Sequence, residues 1–139
     1  MRRRILLISA ILLLTFFTLS CSKEDNPQKA AENFIRILKK GENYQKAWQC
    51  LTPEAQQRCK DGELTGFSAF KKQVEKLSKN SKKRAELKST RVVQTEIKNN
   101  RAIVTIRFRK NGDRTRIRTR DIYLKKVGNK WKIDLGAKI

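Results

Sequence analysis

The sequence predicts an α+β fold in which N-terminal helices pack on one face of an antiparallel sheet. Apolar residues recur at helical spacing up to about residue 79, and from residue 93 they alternate with polar residues as they do in strands. Helices that precede a set of antiparallel strands are typical of α+β domains, with the helices on one face of the sheet.

Three helices are predicted before the sheet. An Asn-Pro pair at residues 26–27 supplies a cap and a favourable first residue for the first helix, and Gly41 ends it. The second helix begins near Asn43, a short helical piece follows the cap Thr52, and the third helix covers about residues 68–79. Their apolar faces are expected to include Ala30, Ala31, Phe34, Ile37, Leu38, Ala47, Trp48, Leu51, Phe70, Val74 and Leu77.

The second half of the chain predicts four antiparallel strands. A charge run at residues 79–84 ends the helical half. Asn111-Gly112 is the strongest hairpin signal and predicts a two-residue turn, while a change of apolar parity predicts a bulge near Arg120-Asp121. The strands are expected at about residues 93–97, 102–108, 115–124 and 131–135, with further turns at Asn99-Asn100 and Gly128-Asn129.

The chain is strongly basic, since 34 Lys and Arg oppose 13 Asp and Glu for a formal net charge of +21. Without residues 1–20, which contain three arginines and no acidic residue, the net charge is +18. A domain this basic attracts polyanions, so the expected partners are an anionic lipid, a wall polymer or an acidic protein. The other interpretation is a solvated basic surface without a specific partner.

Residues 1–20 have the pattern of a secretory signal peptide. Arginines at positions 2–4 precede an uncharged apolar run at residues 5–19, which is short for a bilayer-crossing helix of about 20 residues. A small residue, Ser20, then precedes Cys21. The alternatives are an uncleaved short anchor and an ordinary cleaved signal whose cysteine is incidental.

The segment that ends in Ser20-Cys21 resembles the lipobox of bacterial lipoproteins, although Leu19 stands one position later than in the usual motif. The resemblance implies cleavage before Cys21, lipidation of the Cys21 thiol and attachment to a membrane of the bacterial cell envelope. Residues 21–26 would then be a lipidated tether. In that family a residue other than Asp after the cysteine favours the outer membrane of a Gram-negative cell, and Ser22 fits this rule.

The remaining chain resembles the nuclear-transport-factor-like (NTF2-like, cystatin-like cone) superfamily, particularly its small bacterial lipoproteins of unknown function. The resemblance rests on Pro27 with Ala30-Ala31 and Phe34, on NYQKAW at residues 43–48, on LTPE at residues 51–54 and on VGNKWKID at residues 127–134. It implies one α+β domain over residues 27–139, with N-terminal helices packed on a curved antiparallel sheet to form a cone-like domain.

Groups that could support catalysis are sparse. The chain contains no histidine, which excludes every histidine-dependent mechanism. Asp113, Asp121 and Asp134 have no partner carboxylate at a useful spacing, and the six glycines form no phosphate-binding loop. We therefore expect no enzyme activity, no cofactor and no metal site.

Cys50 and Cys59 are the two cysteines that follow Cys21. In an exported domain two cysteines usually form a disulfide, and the turn between them could bring their Cα atoms within the roughly 4.4–6.8 Å that a bridge requires. Two buried thiols are the alternative.

An arginine-rich hairpin is the clearest charged feature. A two-residue turn at Asn111-Gly112 would place five arginines on one face of the sheet. Two pairs of them would lie directly opposite each other, where like charges repel. An anionic partner would offset this repulsion. The alternative is that the aliphatic parts of the arginine side chains pack on the sheet while their guanidinium groups remain in water. Few aromatic side chains interleave with these arginines, which argues against nucleic acid. The candidate anion-binding residues are Arg107, Arg109, Arg114, Arg116 and Arg118.

Four aromatic residues, Phe34, Trp48, Phe70 and Trp131, could line a pocket inside the cone, or they could fill its core. The sequence as a whole predicts a non-catalytic, lipid-anchored envelope protein that acts as a binding module for an anionic envelope component. A small-ligand-binding cone and a structural scaffold with incidental charge are the alternatives.

Overall fold

The computed structural model describes residues 26–136. The predicted signal peptide (residues 1–20), Cys21 and the tether before Asn26 lie outside the described residues, as do the last three residues of the predicted domain. The elements are α1 Pro27–Lys40, α2 Tyr44–Gln49, α3 Pro53–Arg58, β1 Lys60–Asp61, β2 Leu64–Thr65, α4 Gly66–Lys79, α5 Ser81–Ser89, β3 Arg91–Lys98, β4 Arg101–Arg109, a 3₁₀ turn Lys110–Gly112, β5 Ile117–Val127 and β6 Lys130–Ile133.

The predicted caps Asn26 and Thr52 are confirmed, and Asn43, where the second helix was expected to begin, also acts as a cap. The Asn26 side chain accepts a hydrogen bond from Gln28 N at 2.8 Å, and Gly41 ends α1 with a φ of 63°. Asn43 and Thr52 accept from the backbone N–H groups three residues later, at 3.2 and 3.0 Å. These bonds satisfy amide groups that have no partner within the helix.

The prediction that the charge run ends the helical half is wrong. Asn80 caps a further helix, α5, by accepting from Lys83 N at 3.1 Å. The sequence of α5 has little amphipathic pattern, so contacts with the end of β4 and with the 3₁₀ turn hold it in place. The small β1–β2 hairpin was also not expected.

The main sheet has the strand order β3-β4-β5-β6, and every neighbouring pair is antiparallel. Helix α1 contacts both edge strands, β3 and β6, so the sheet curves around it. The α+β prediction, with helices on a curved antiparallel sheet, is therefore confirmed. The sheet contributes five buried apolar residues to the core, namely Ala102, Val104, Leu124, Trp131 and Ile133.

The pairing of β4 with β5 differs from the predicted hairpin. Arg109 pairs with Ile117, so the connection is residues 110–116 rather than a two-residue turn. The connection is closed by a hydrogen bond from Lys110 N to Arg116 O at 2.8 Å, and Asp113 accepts from Thr115 N at 2.9 Å. The predicted bulge near Arg120-Asp121 is absent, since the β4–β5 register is continuous from Arg109 back to Arg101. The length of the loop instead determines which positions of β5 face the core.

A register irregularity lies instead in edge strand β3, between Val92 and Gln94. The residue that it skips, Val93, is 46% exposed. A bulge on an edge strand disfavours pairing with a second chain, because it disrupts the row of free backbone groups.

In this structure Cys50 and Cys59 are not joined by the predicted disulfide. Each thiol donates to the carbonyl four residues earlier, Cys50 to Lys46 O at 3.2 Å and Cys59 to Ala55 O at 3.4 Å. Cys59 points into the core, and burial raises the pKa of its thiol.

Candidate functional site

The end of the β4–β5 hairpin concentrates positive charge. Residues 107–120, which we call the arginine tip, contain seven basic residues and one acidic residue, Asp113. Among the described residues, the only ion pair of the tip joins Arg116 Nε to Asp113 Oδ2 at 3.6 Å. The basic residues are Arg107, Arg109, Lys110, Arg114, Arg116, Arg118 and Arg120.

The five predicted arginines do not share one face of the sheet. Arg107 and Arg109 lie on the face opposite the helices, while Arg118 pairs with Phe108 on the helix side. Arg114 and Arg116 lie in the loop. The prediction of directly opposed pairs is wrong because the loop is longer than two residues. The tip instead carries cations on both faces of the sheet and in the loop.

Helix α5 holds the arginine tip through three contacts. Asn111 N donates to Glu86 Oε1 at 2.9 Å, and Arg109 N donates to Ser89 Oγ at 2.8 Å. A Cβ at Gly112, where φ is +80°, would lie 2.9 Å from the Ala85 Cβ, so the loop and helix are in close contact. The bond from Asn111 holds the pKa of Glu86 below its ordinary value, with smaller contributions from Lys83 and Arg120.

Two apolar side chains, Ile117 and Phe108, lie between the arginines of the tip. Ile117 is 56% exposed on the face opposite the helices. Phe108 is half-buried on the helix side, where the guanidinium carbon of Arg120 lies 5.8 Å from its ring centroid. The tip is therefore amphipathic as well as cationic.

Sequence reasoning missed Lys110, Ile117 and Arg120 as members of this site. The Asp113–Thr115 spacing was a signal for the longer loop, because an Asp side chain readily accepts from the backbone two residues later.

The four predicted pocket residues belong to the packed interior. Phe34, Phe70 and Trp131 are buried in the core, and Trp48 packs against it with its ring centroid 5.5 Å from that of Phe70 and 5.8 Å from that of Phe67. This packing favours the filled-core interpretation over a ligand pocket.

A second cationic surface lies between α1, α2 and β6. These elements surround a groove of about 530 Å³, in which Glu42 is the one acidic residue among the described residues. Its basic residues come from positions distant in the sequence and define what we call the basic groove: Arg36, Lys40, Lys46, Lys130 and Lys132. No sequence pattern indicated this site.

Within residues 26–136, no group of three or more Cys, Asp or Glu side chains is placed to hold a metal ion. In the same range no helix is both long and apolar enough to cross a bilayer.

A family model described as "Domain of unknown function (DUF4878)" matches residues 19–134. The structure is similar to a crystal structure from Campylobacter jejuni described as a candidate NTF2-like transpeptidase, with a TM-score of 0.55 and 20% identity over 79% of this chain and 98% of that chain. It is also similar to a de novo designed protein with a curved β-sheet, with a TM-score of 0.48 and 20% identity over 81% and 84% of the two chains. No curated protein matches. The chain has an NTF2-like fold and belongs to the DUF4878 family of domains of unknown function.

Proposed function

We propose that the protein is a non-catalytic module, anchored in the bacterial cell envelope by lipid on Cys21, that docks its arginine tip on the anionic headgroups of a bilayer. The observation that carries the proposal is the composition of the tip: seven basic residues, one acidic residue and an isoleucine that is 56% exposed.

The arginines supply attraction to lipid phosphates. An arginine guanidinium can donate two parallel hydrogen bonds to a phosphate, and a basic residue near an anionic membrane contributes about 1 kcal/mol. Six of the seven basic residues have no acidic partner within ion-pair distance among the described residues. Their charges are therefore available to an external anion.

The exposed isoleucine distinguishes a bilayer from a soluble polyanion. Ile117 follows the loop directly and pairs with Arg109 across the sheet. An apolar side chain gains free energy when it leaves water for the acyl boundary, at about 25 cal/mol per Å². A hydrophilic wall polymer offers no such gain.

Several features of the chain support a non-catalytic role. Transpeptidation by acyl transfer needs an activated nucleophile, usually with an adjacent base. The chain has no histidine, and burial raises the pKa of the Cys59 thiol, which disfavours the reactive thiolate. The C. jejuni protein is named for such an activity, but at 20% identity its similarity to this chain shows only a shared fold.

Anchoring is tested with the full chain and its Cys21→Ala variant, both expressed in a bacterium. We expect the wild type to fractionate with membranes and to show a mass that begins at Cys21 and includes a diacylglyceryl group. The Cys21→Ala chain should lack that lipid mass. A wild-type protein without lipid would contradict the anchoring part of the proposal.

Tip binding is tested by sedimentation with vesicles of phosphatidylglycerol and phosphatidylcholine, using a chain that begins at Ser22. Residues 26–136 contain a cluster of buried apolar residues from the helices and the sheet, so this chain is expected to fold. The variant Arg109→Gln/Arg114→Gln/Arg118→Gln should bind at least about tenfold more weakly. These three side chains are exposed, and no hydrogen bond or ion pair of theirs is found within the described residues.

The matched control removes three exposed charges elsewhere, as Lys71→Gln/Lys79→Gln/Lys82→Gln on α4 and α5. Equal losses in both triple variants would show binding by net charge alone and would contradict a specific tip. Ile117→Ser leaves the charge unchanged and should weaken vesicle binding while leaving binding to heparin, a soluble polyanion, unaltered.

A further inference from the structure

The basic groove shares no residue with the arginine tip. Among the described residues, five cationic side chains from α1, α2 and β6 surround it, and Glu42 is the only carboxylate of its lining. None of the five forms an ion pair within the described residues. Like charges that converge on a concave surface repel each other and strengthen the local positive potential, so an anion in the groove would be stabilising.

Hydrogen bonds within the protein fix part of the lining. Arg36 donates to Asn33 Oδ1 at 2.6 Å, and Lys132 Nζ donates to the Gln49 carbonyl. Asn43 Oδ1 accepts from Lys46 N. The side-chain oxygens of Asn33 and Asn43 each accept one of these bonds, and their amide N–H groups can donate to a ligand. The groove is rich in donors and suits a ligand that is rich in acceptors.

We infer that the groove binds a small soluble solute that bears two or more phosphate groups. Its five cations and single carboxylate give a net charge of +4, which one carboxylate or one phosphate would neutralise only in part. The volume of about 530 Å³ lies within the range of roughly 300–1,000 Å³ that is typical of small-molecule sites. It is large enough for a diphosphate together with an organic group.

Inorganic pyrophosphate is the probe for this site, titrated calorimetrically into the full chain in non-ionic detergent. The test variant is Lys46→Gln/Lys130→Gln, because both side chains are exposed and neither amine makes a hydrogen bond or ion pair within residues 26–136. We expect the Kd for pyrophosphate to rise at least about tenfold. Inorganic phosphate should bind the wild type more weakly than pyrophosphate.

The control Lys71→Gln/Lys82→Gln removes the same charge from α4 and α5 and should change the Kd less than about twofold. Equal losses in the two double variants would overturn the site. The proposal would also be overturned if Lys46→Gln/Lys130→Gln still bound pyrophosphate while the triple arginine variant did not. That result would assign pyrophosphate binding to the arginine tip.

The vesicle assay separates a soluble ligand from a lipid headgroup. Lys46→Gln/Lys130→Gln should bind phosphatidylglycerol vesicles as well as its control does. A loss confined to the groove variant would assign the groove to the membrane and contradict a soluble ligand. Failure of the tip to bind vesicles would leave the pyrophosphate result unaffected, so the two proposals can fail separately.

Discussion

Leu124→Ala is expected to destabilise the domain by about 3–4 kcal/mol. Leu124 is 2% exposed in the central strand β5, where it pairs with Ala102 on one side and Ile133 on the other. Truncation removes buried apolar contacts and leaves a cavity that neighbouring strands cannot fill, since their positions are set by the ladder. Urea unfolding followed by circular dichroism measures the change in the free energy of unfolding.

Ile117→Ala is the matched control, because it shortens an apolar side chain of the same strand at an exposed position. We expect it to cost less than about 1 kcal/mol. A Leu124→Ala effect as small as that of Ile117→Ala would contradict the assignment of Leu124 to the core.

Thr52→Val should reduce the free energy of unfolding by about 2 kcal/mol, although the two side chains have nearly the same shape. The Thr52 hydroxyl is fully buried, accepts from Ala55 N at 3.0 Å and donates to Asp134 Oδ1 at 3.2 Å. Valine leaves the N-terminal amide of α3 without its cap. It also removes the hydrogen bond to Asp134, whose remaining side-chain partner among the described residues is Arg58, with Nη2 2.6 Å from Oδ1.

Thr52→Ser is the control for the hydroxyl, since it loses the methyl group and retains both hydrogen bonds. The same urea unfolding measurement should find it more stable than Thr52→Val. If serine and valine are equally destabilising, the effect arises from packing, and the proposed role of the hydroxyl is wrong.

The parts of the fold that the sequence predicted correctly are set by local interactions. Asn26 and Thr52 cap helices through bonds that span two or three residues. Gly41 ends α1 because its positive φ costs little without a side chain. Each of these signals lies within one short segment, so no knowledge of the tertiary structure is needed to interpret it.

The arginine tip was only partly predictable, because two local signals compete there. Asn111-Gly112 favours a two-residue turn, whereas Asp113 stabilises a longer loop by accepting from Thr115 N and Oγ1. The contact of Asn111 with Glu86 on α5 supports the longer loop, and α5 itself was not expected. The sequence therefore indicated a concentration of arginines in this hairpin, whereas the assignment of five of them to one face of the sheet was wrong.

The basic groove could not be predicted, because its residues are brought together by tertiary structure alone. Positions 36–46 meet positions 130–132 where the segment after α2 pairs with β6, with Leu51 beside Ile133. In a chain with 34 basic residues, no pair of segments stands out by charge.

The hydrogen bonds between α5 and the arginine tip also affect the entropy of binding. Fixing the backbone of one flexible residue costs roughly 1–2 kcal/mol of conformational entropy at room temperature. A flexible loop would incur that cost for each residue that becomes ordered on binding. Residues 109–112 are already ordered by Glu86, Ser89 and Ala85 before any partner arrives. A preorganised loop retains more of its interaction energy as affinity, so the tip can bind a surface without first having to fold onto it.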